Sequence, residues 1–361
     1  MPRAAPTIQF VLGNHATHWR DIDTLDESDI DRQPQRFVGG RNSWIAQTYL
    51  RLRPALRDRG WCVAAGGHFV AGAICVAHRD DANDFVSDAH ASFLVVVRAD
   101  RAPVVACDLA LVQNGLAPAR HERFVPLWPQ PGLSPRDGQR RGIRRIAYLG
   151  RTGAAPQWFR NEEFHRALYR RGVTFDVRHQ GWGNYRAVDV ALASRAEAAT
   201  VLATKPATKL YNAWLGRVPM LAAPEPAYRE VRRSPIDFIE VSGANDVVRA
   251  IDLLRANPRL YDAMVANGCV RGGEFDIAAI RERWIALLEG EVMPAFERAD
   301  LGEGRRAWHL RAMLAQKALS RLHRARVAIE RCALRNDGAY SAEGSADHLA
   351  HVSGQPFGAA D

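Results

Sequence analysis

The chain has 361 residues, 47% of them hydrophobic and 25% charged, and a formal net charge of +9. That length suits two ordinary cores, that apolar content excludes a mainly disordered chain, and no run approaches the roughly 18–20 apolar residues of a membrane-spanning helix. The five cysteines (Cys62, Cys75, Cys107, Cys269 and Cys332) are scattered, odd in number and without a CxxC pair, which argues against zinc and a disulfide framework and fits a reducing cytosol.

Taken in chain order, Ile8–Leu12 is too short an apolar run for a signal peptide and reads as a first strand. A glycine pair, Gly39 and Gly40, opens a helical pattern through Trp44, Ile45, Tyr49, Leu50, Leu52 and Leu56, with Pro54 placed to kink or divide it. Strands follow at 61–65, 92–97, 103–107 and 109–114, continuously apolar, as in a parallel sheet covered on both faces. The proline- and glycine-rich stretch 124–142 breaks all periodicity and reads as an interdomain connection.

The second half restarts with a strand at 146–149 ending on Gly150. A helix (162–171), strands (173–177, 188–193, 218–223, 237–241) and helices (from 208, 244–258, 258–268, 276–290) alternate in the manner of a doubly wound domain. Residues 305–335 form a long basic helical pattern, and the final segment is polar and Gly/Ser/Ala-rich. The expected organisation is therefore α/β, with Rossmann-like domains at 1–128 and 143–290, a linker at 129–142, a helical extension at 291–335 and a disordered tail at 336–361.

The most informative segment is Lys205–Glu230, KPATKLYNAWLGRVPMLAAPEPAYRE. All but three of the 49 basic residues are arginine, yet two of the three lysines, Lys205 and Lys209, fall here; the third is Lys317. An ammonium on a flexible stem suits a phosphate, Thr208 can cap the following helix or donate its hydroxyl, and the helix N-terminus favours an anion. The alternative is an ordinary capped surface helix with two solvated lysines.

This run resembles the donor-binding stretch of bacterial GT-B glycosyltransferases of the surface-polysaccharide type (family 1-like). The resemblance implies two Rossmann-like domains facing a cleft, the second holding a nucleotide-diphosphate sugar and the first the acceptor, a glycan or lipid-linked glycan. It implies diphosphate contacts from Lys205, Thr208, Lys209 and Arg151 of the strand-end Gly150-Arg151, with Gly39-Gly40 as the glycine loop opposite. Gly216 and Pro219 stand for its G-x-P strand, spaced here as G-x-x-P. Many retaining members carry two glutamates eight positions apart; here those positions hold Lys205 and Ala213, which leaves the stereochemical outcome open. No metal or other cofactor is expected, because helix dipoles and basic side chains take the metal's charge role.

For the nucleoside and sugar, Trp182 and Tyr185 lie in a Gly-rich loop where an aromatic could stack on a base, or Tyr185 could cover the next helix. Glu225 and Glu230 follow a strand at the carboxyl edge, where ligands of open α/β sheets bind; Glu230 could instead pair with Arg229, Arg232 or Arg233. A catalytic base must come from the first domain. His15, after the first strand, is the leading candidate, ahead of His68 and His78 with the Asp80-Asp81 pair, while Asp100 and Arg101 are cleft-edge residues without a role. Competing readings are another nucleotide-sugar enzyme of the same fold (an epimerase or phosphoglycerol-type transferase) and a catalytically inactive binding or scaffold protein. Nucleic-acid binding is disfavoured, since 305–335 interleaves only Trp308 among its basic residues. That helix either packs on the protein's own body or a second subunit, or lies on an anionic membrane, so the expected location is cytoplasmic or peripheral at the inner membrane.

Overall fold

The computed structural model describes residues 6–82, 89–116 and 118–336. Its first sheet has six parallel strands in the order β2-β1-β3-β4-β5-β6, namely β1 (Thr7–Val11), β2 (Cys62–Gly66), β3 (Ile74–His78), β4 (Phe93–Val97), β5 (Leu109–Val112) and β6 (Glu122–Phe124). Its second has five in the order β11-β10-β9-β7-β8, with β7 (Arg145–Leu149), β8 (Thr174–Arg178), β9 (Val190–Ala193), β10 (Met220–Ala222) and β11 (Ile239–Glu240), also parallel. The helices are α1 (Glu27–Arg32), α2 (Gln47–Asp58), α3 (Glu162–Tyr169), α4 (Ala199–Leu202), α5 (Thr208–Leu215), α6 (Pro226–Val231), α7 (Ala244–Ala256), α8 (Pro258–Gly272), α9 (Ile277–Leu287), α10 (Met293–Arg298) and α11 (Glu303–Asn336).

Every residue of β3 and β4 is buried, because a central parallel strand is covered on both faces. Strand β3 was not identified from the sequence, yet it pairs with both β1 and β4 at the sheet centre. The three-residue β6 was likewise missed. The expected strand at 103–107 is a loop. The backbone N–H groups of Val105 and Ala106 donate to Gln316 Oε1 at 3.1 and 3.2 Å, so a side chain on α11 takes the place of a neighbouring strand. Pro54 does not divide its helix: α2 runs through it to Asp58, continuing a turn of π-helix at Asn42–Ala46.

The connection between sheets begins at Trp128, whose indole is buried in the first core and donates to Thr48 Oγ1 at 2.9 Å. The following residues are tied to the second half, where Arg136 N donates to Gly216 O, and Arg136 and Arg140 both reach the buried Asp189 carboxylate. The chain later returns. Ile280, Trp284 and Ile285 of α9, with Leu288 and Val292, belong to the first core, packed with Ile8, Phe10 and Leu56. The expected tail lies, from residue 337 onward, outside the described residues. No helix among the described residues is long and apolar enough to cross a membrane.

Candidate functional site

Each sheet presents its strand ends to the other half. In the second half, β7 ends at Gly150, β9 leads to Arg195, β10 leads to Glu225 and α5 begins at Thr208. Lys209 runs back beneath Gly150. Its Nζ stands 3.6 Å from the Tyr148 ring centroid, and a Cβ at Gly150 would lie 2.5 Å from it, so a side chain there would displace the tip of Lys209. This ammonium is out of solvent and has no hydrogen-bond partner, as is Thr208 Oγ1 beside it. Burial, reinforced by the Arg195 guanidinium, holds the Lys209 pKa well below the ordinary lysine value. Arg195 pairs with the buried Glu225, whose carboxylate offsets the cost of burial and raises the guanidinium's affinity for its proton. Glu225 Oε1 remains unsatisfied. Two cations, one carboxylate and a hydroxyl therefore meet at one sheet edge with hydrogen-bonding capacity left over, an arrangement expensive to bury unless a ligand completes it.

In the first half, Gly39 adopts φ +94°, a left-handed backbone that favours glycine, and the helix starts at Gly40. A Cβ at Gly40 would come within 3.3 Å of His78 Nε2. His78, at the end of β3, is buried, and burial brings its pKa down to about 4, so the ring is neutral near pH 7. Its Nδ1 accepts from Asp80 N at 3.2 Å, which places the ring proton on Nε2. Next to Gly40, Arg41 donates to Asp81 Oδ2 at 2.8 Å and stands 2.8 Å from His15 Nε2. Burial pushes the Asp81 carboxyl up to about 6 while Arg41 pulls the other way, and burial with the Arg41 charge lowers the His15 pKa.

A chain of contacts joins these edges. Arg101 holds Asp80 at 2.9 Å and Asp100 at 3.1 Å, and Asp100 Oδ2 lies 2.6 Å from Lys205 Nζ across the cleft. Although burial alone would raise it, the Asp100 pKa is held far below the carboxylate range by Lys205 and Arg101. Beside this pair, Asn114 Nδ2 donates to Ala203 O and Lys205 O, Gln113 Nε2 donates to Thr204 O, and Glu230 accepts from Gly115 N at 2.8 Å.

A chain of contacts thus runs from His78, beneath Gly40, through Asp80, Arg101 and Asp100 to Lys205, with His15 joined to Arg41 next to Gly40, while Thr208, Lys209 and the Arg195–Glu225 pair form the buried group at the edge of the second sheet. Arg151 is exposed next to Gly150, and its carbonyl accepts from Tyr148 Oη. Lys205 is not a solvated lysine but one side of an interdomain ion pair. Tyr185 is core: its ring packs where a Cβ on Gly216 would sit 2.6 Å from Cγ, so it covers the end of α5 and is not available to a base. Trp182 donates to Arg178 O and lines a separate groove of about 470 Å³ near the linker with Pro34, Val38, Pro131 and Leu133, away from Lys209. Glu230 bonds across the cleft and not to its neighbouring arginines; Arg229 takes Glu240 and Arg233 takes Glu274. Ala213 is fully buried in the core. Sequence reasoning missed Arg195, for which the only available sign was its place two residues past a strand, and Arg41, next to the glycine pair. Among the described residues no group of three or more His, Cys, Asp or Glu side chains is placed to hold a metal.

No protein-family model matches the chain, and a search of curated proteins finds no match either. Among solved structures the chain is similar to sucrose-phosphate synthase from Thermosynechococcus elongatus, at 13% identity and a TM-score of 0.50 over 81% of this chain and 100% of that one. It is also similar to Anabaena HepE in complex with UDP (9% identity, TM-score 0.45, 80% and 100% of the two chains). A third similarity is to TarM (8% identity, TM-score 0.44), over 60% of this chain and 55% of that one, so the chain spans about half the length of TarM. Identities this low show the fold alone. Two facing parallel α/β sheets with a helical segment returning from the second to the first are the GT-B fold.

Proposed function

We propose that the chain is a glycosyltransferase that moves a sugar from a nucleotide-diphosphate donor to a glycan or lipid-linked acceptor without a metal. The observation that carries this reading is Lys209, a buried ammonium without a hydrogen-bond partner at the carboxyl edge of the second sheet of a GT-B cleft. A diphosphate entering beside it supplies the missing acceptor and raises the lysine's affinity for its proton. Thr208 and the amides opening α5, which no side chain caps, complete the grip. These groups and Arg195 then stabilise charge developing on the leaving diphosphate. Lys205 joins once the donor displaces Asp100 from its ammonium.

On the facing edge, His15 and Asp81 share Arg41; burial raises the Asp81 carboxyl toward neutrality, whereas burial and the Arg41 charge lower the His15 pKa and leave its ring neutral and able to accept a proton. We assign acid–base work to this set, next to the Gly39-Gly40 turn that lets backbone approach the donor. The experiment is a thermal-shift screen of the full chain against UDP-, GDP-, CMP- and dTDP-sugars, followed by assay of hits for donor hydrolysis and transfer. Stabilisation by one class and donor-dependent release of nucleotide support the reading, whereas no response to any donor rejects it. A second reading, an inactive binding or scaffold protein, is favoured by the cleft contacts at Asn114, Gln113 and Glu230. It predicts nucleotide binding without release from any donor.

A further inference from the structure

Helix α11 spans both halves of the molecule. Near its start, Arg305 pairs with Asp108, His309 and Met313 are buried, and Gln316 Oε1 accepts from Val105 and Ala106. Near its end, Glu330 accepts from Thr200 N and Oγ1, and Arg331 grips Glu197 with two contacts of 2.8 Å. One face of the helix is thereby committed to the protein's own body. The opposite face is not. Five of the nine large apolar side chains exposed among the described residues lie on this one helix: Trp308, Leu310, Leu314, Leu322 and Ile329, with Leu314, Leu322 and Ile329 each more than 60% exposed.

At about 100° per residue, Leu310, Leu314, Leu322 and Ile329 fall on one side, opposite Met313, Gln316 and Val327. Exposed Arg311 and Arg321 rise from the same side, and Arg306, Arg324 and Arg335 flank it. The helix has nine basic residues against two acidic ones, and one of those, Glu330, is spent on Thr200. An apolar ridge set in arginine is costly in water, and its charge would repel a second copy carrying the same surface. It matches an acyl boundary beneath anionic headgroups, where leucines bury and guanidiniums meet phosphate.

We propose that the outer face of α11 docks the protein on an anionic lipid bilayer, laying both domains against the membrane through one rigid helix. This is independent of the activity proposed above. The test is flotation of the full chain with vesicles of phosphatidylglycerol and phosphatidylcholine, or of phosphatidylcholine alone, at low and high salt. The wild type is expected to float with the anionic vesicles at low salt, to be released by salt, and to stay behind with neutral vesicles. L314E/L322E is expected to abolish flotation with an unchanged melting temperature, both positions being exposed. R311Q/R321Q/R324Q should weaken partitioning by on the order of a hundredfold. A wild type that ignores anionic vesicles at low salt overturns the proposal. So does flotation that survives L314E/L322E, or a light-scattering dimer that L314E/L322E dissolves, which assigns the face to a second copy.

Discussion

Lys205 Nζ and Asp100 Oδ2 meet at 2.6 Å although 105 residues and the interdomain connection separate them. This ion pair joins the two halves at the point where the sequence places a phosphate ligand. The pair is largely shielded from water, its side chains 18% and 29% exposed, and a diphosphate held at Lys205 would have to replace the carboxylate. Asp100→Asn is therefore expected to leave nucleotide affinity intact or raise it, and Lys205→Ala to lower it, while both lose the interdomain contact. Calorimetry on the two variants separates the roles; equal loss in both would show a purely structural pair.

Lys209→Met removes a buried ammonium without a partner and keeps its volume. Ending that desolvation cost should stabilise the apo protein by about 1–3 kcal/mol, visible as a melting temperature higher by a few degrees. A functional lysine predicts the opposite effect on nucleotide binding. A residue that serves only the fold would not make stability and affinity diverge.

Gly40→Val places a branched side chain against His78 Nε2, which a Cβ alone would approach to 3.3 Å. Turnover should fall by on the order of a hundredfold or more, since small misplacements of a binding loop are costly. Circular dichroism checks that the fold persists. Normal turnover would make the glycine pair a helix start and nothing more.

The pH profile reports on Asp81. Burial raises its carboxyl to about 6, so it is ionised above that pH and takes up a proton below it, releasing Arg41. Turnover should have an acid limb with a midpoint near 6 that Asp81→Asn removes. His78, brought down to about 4, stays neutral across this window and contributes nothing to the limb. A limb unchanged in Asp81→Asn moves the assignment to His15.

The two-sheet plan was legible, because buried parallel strands are continuously apolar, and the Lys205–Lys209 segment stood out because lysine is rare against this arginine background. What escaped depended on distant partners. Strand β3, which ends on His78 and the charged turn after it, is recognisable by its pairing between β1 and β4. The segment 103–107 has strand composition but satisfies its amides on Gln316, more than 200 positions away. Tyr185 was open to either a base-stacking or a helix-covering reading, and its contact with Gly216 gives the second. Arg195 carries no local motif; burial beside the Glu225 carboxylate gives it its character.

The most direct test is calorimetric titration of the nucleoside diphosphate that best stabilises the full chain, into wild type and into Lys209→Met. The lost charge-assisted contact, worth roughly 1.5–3 kcal/mol, predicts a tenfold to hundredfold weaker Kd in the variant. Equal affinity for both proteins, each confirmed as folded, would contradict a donor diphosphate held at Lys209.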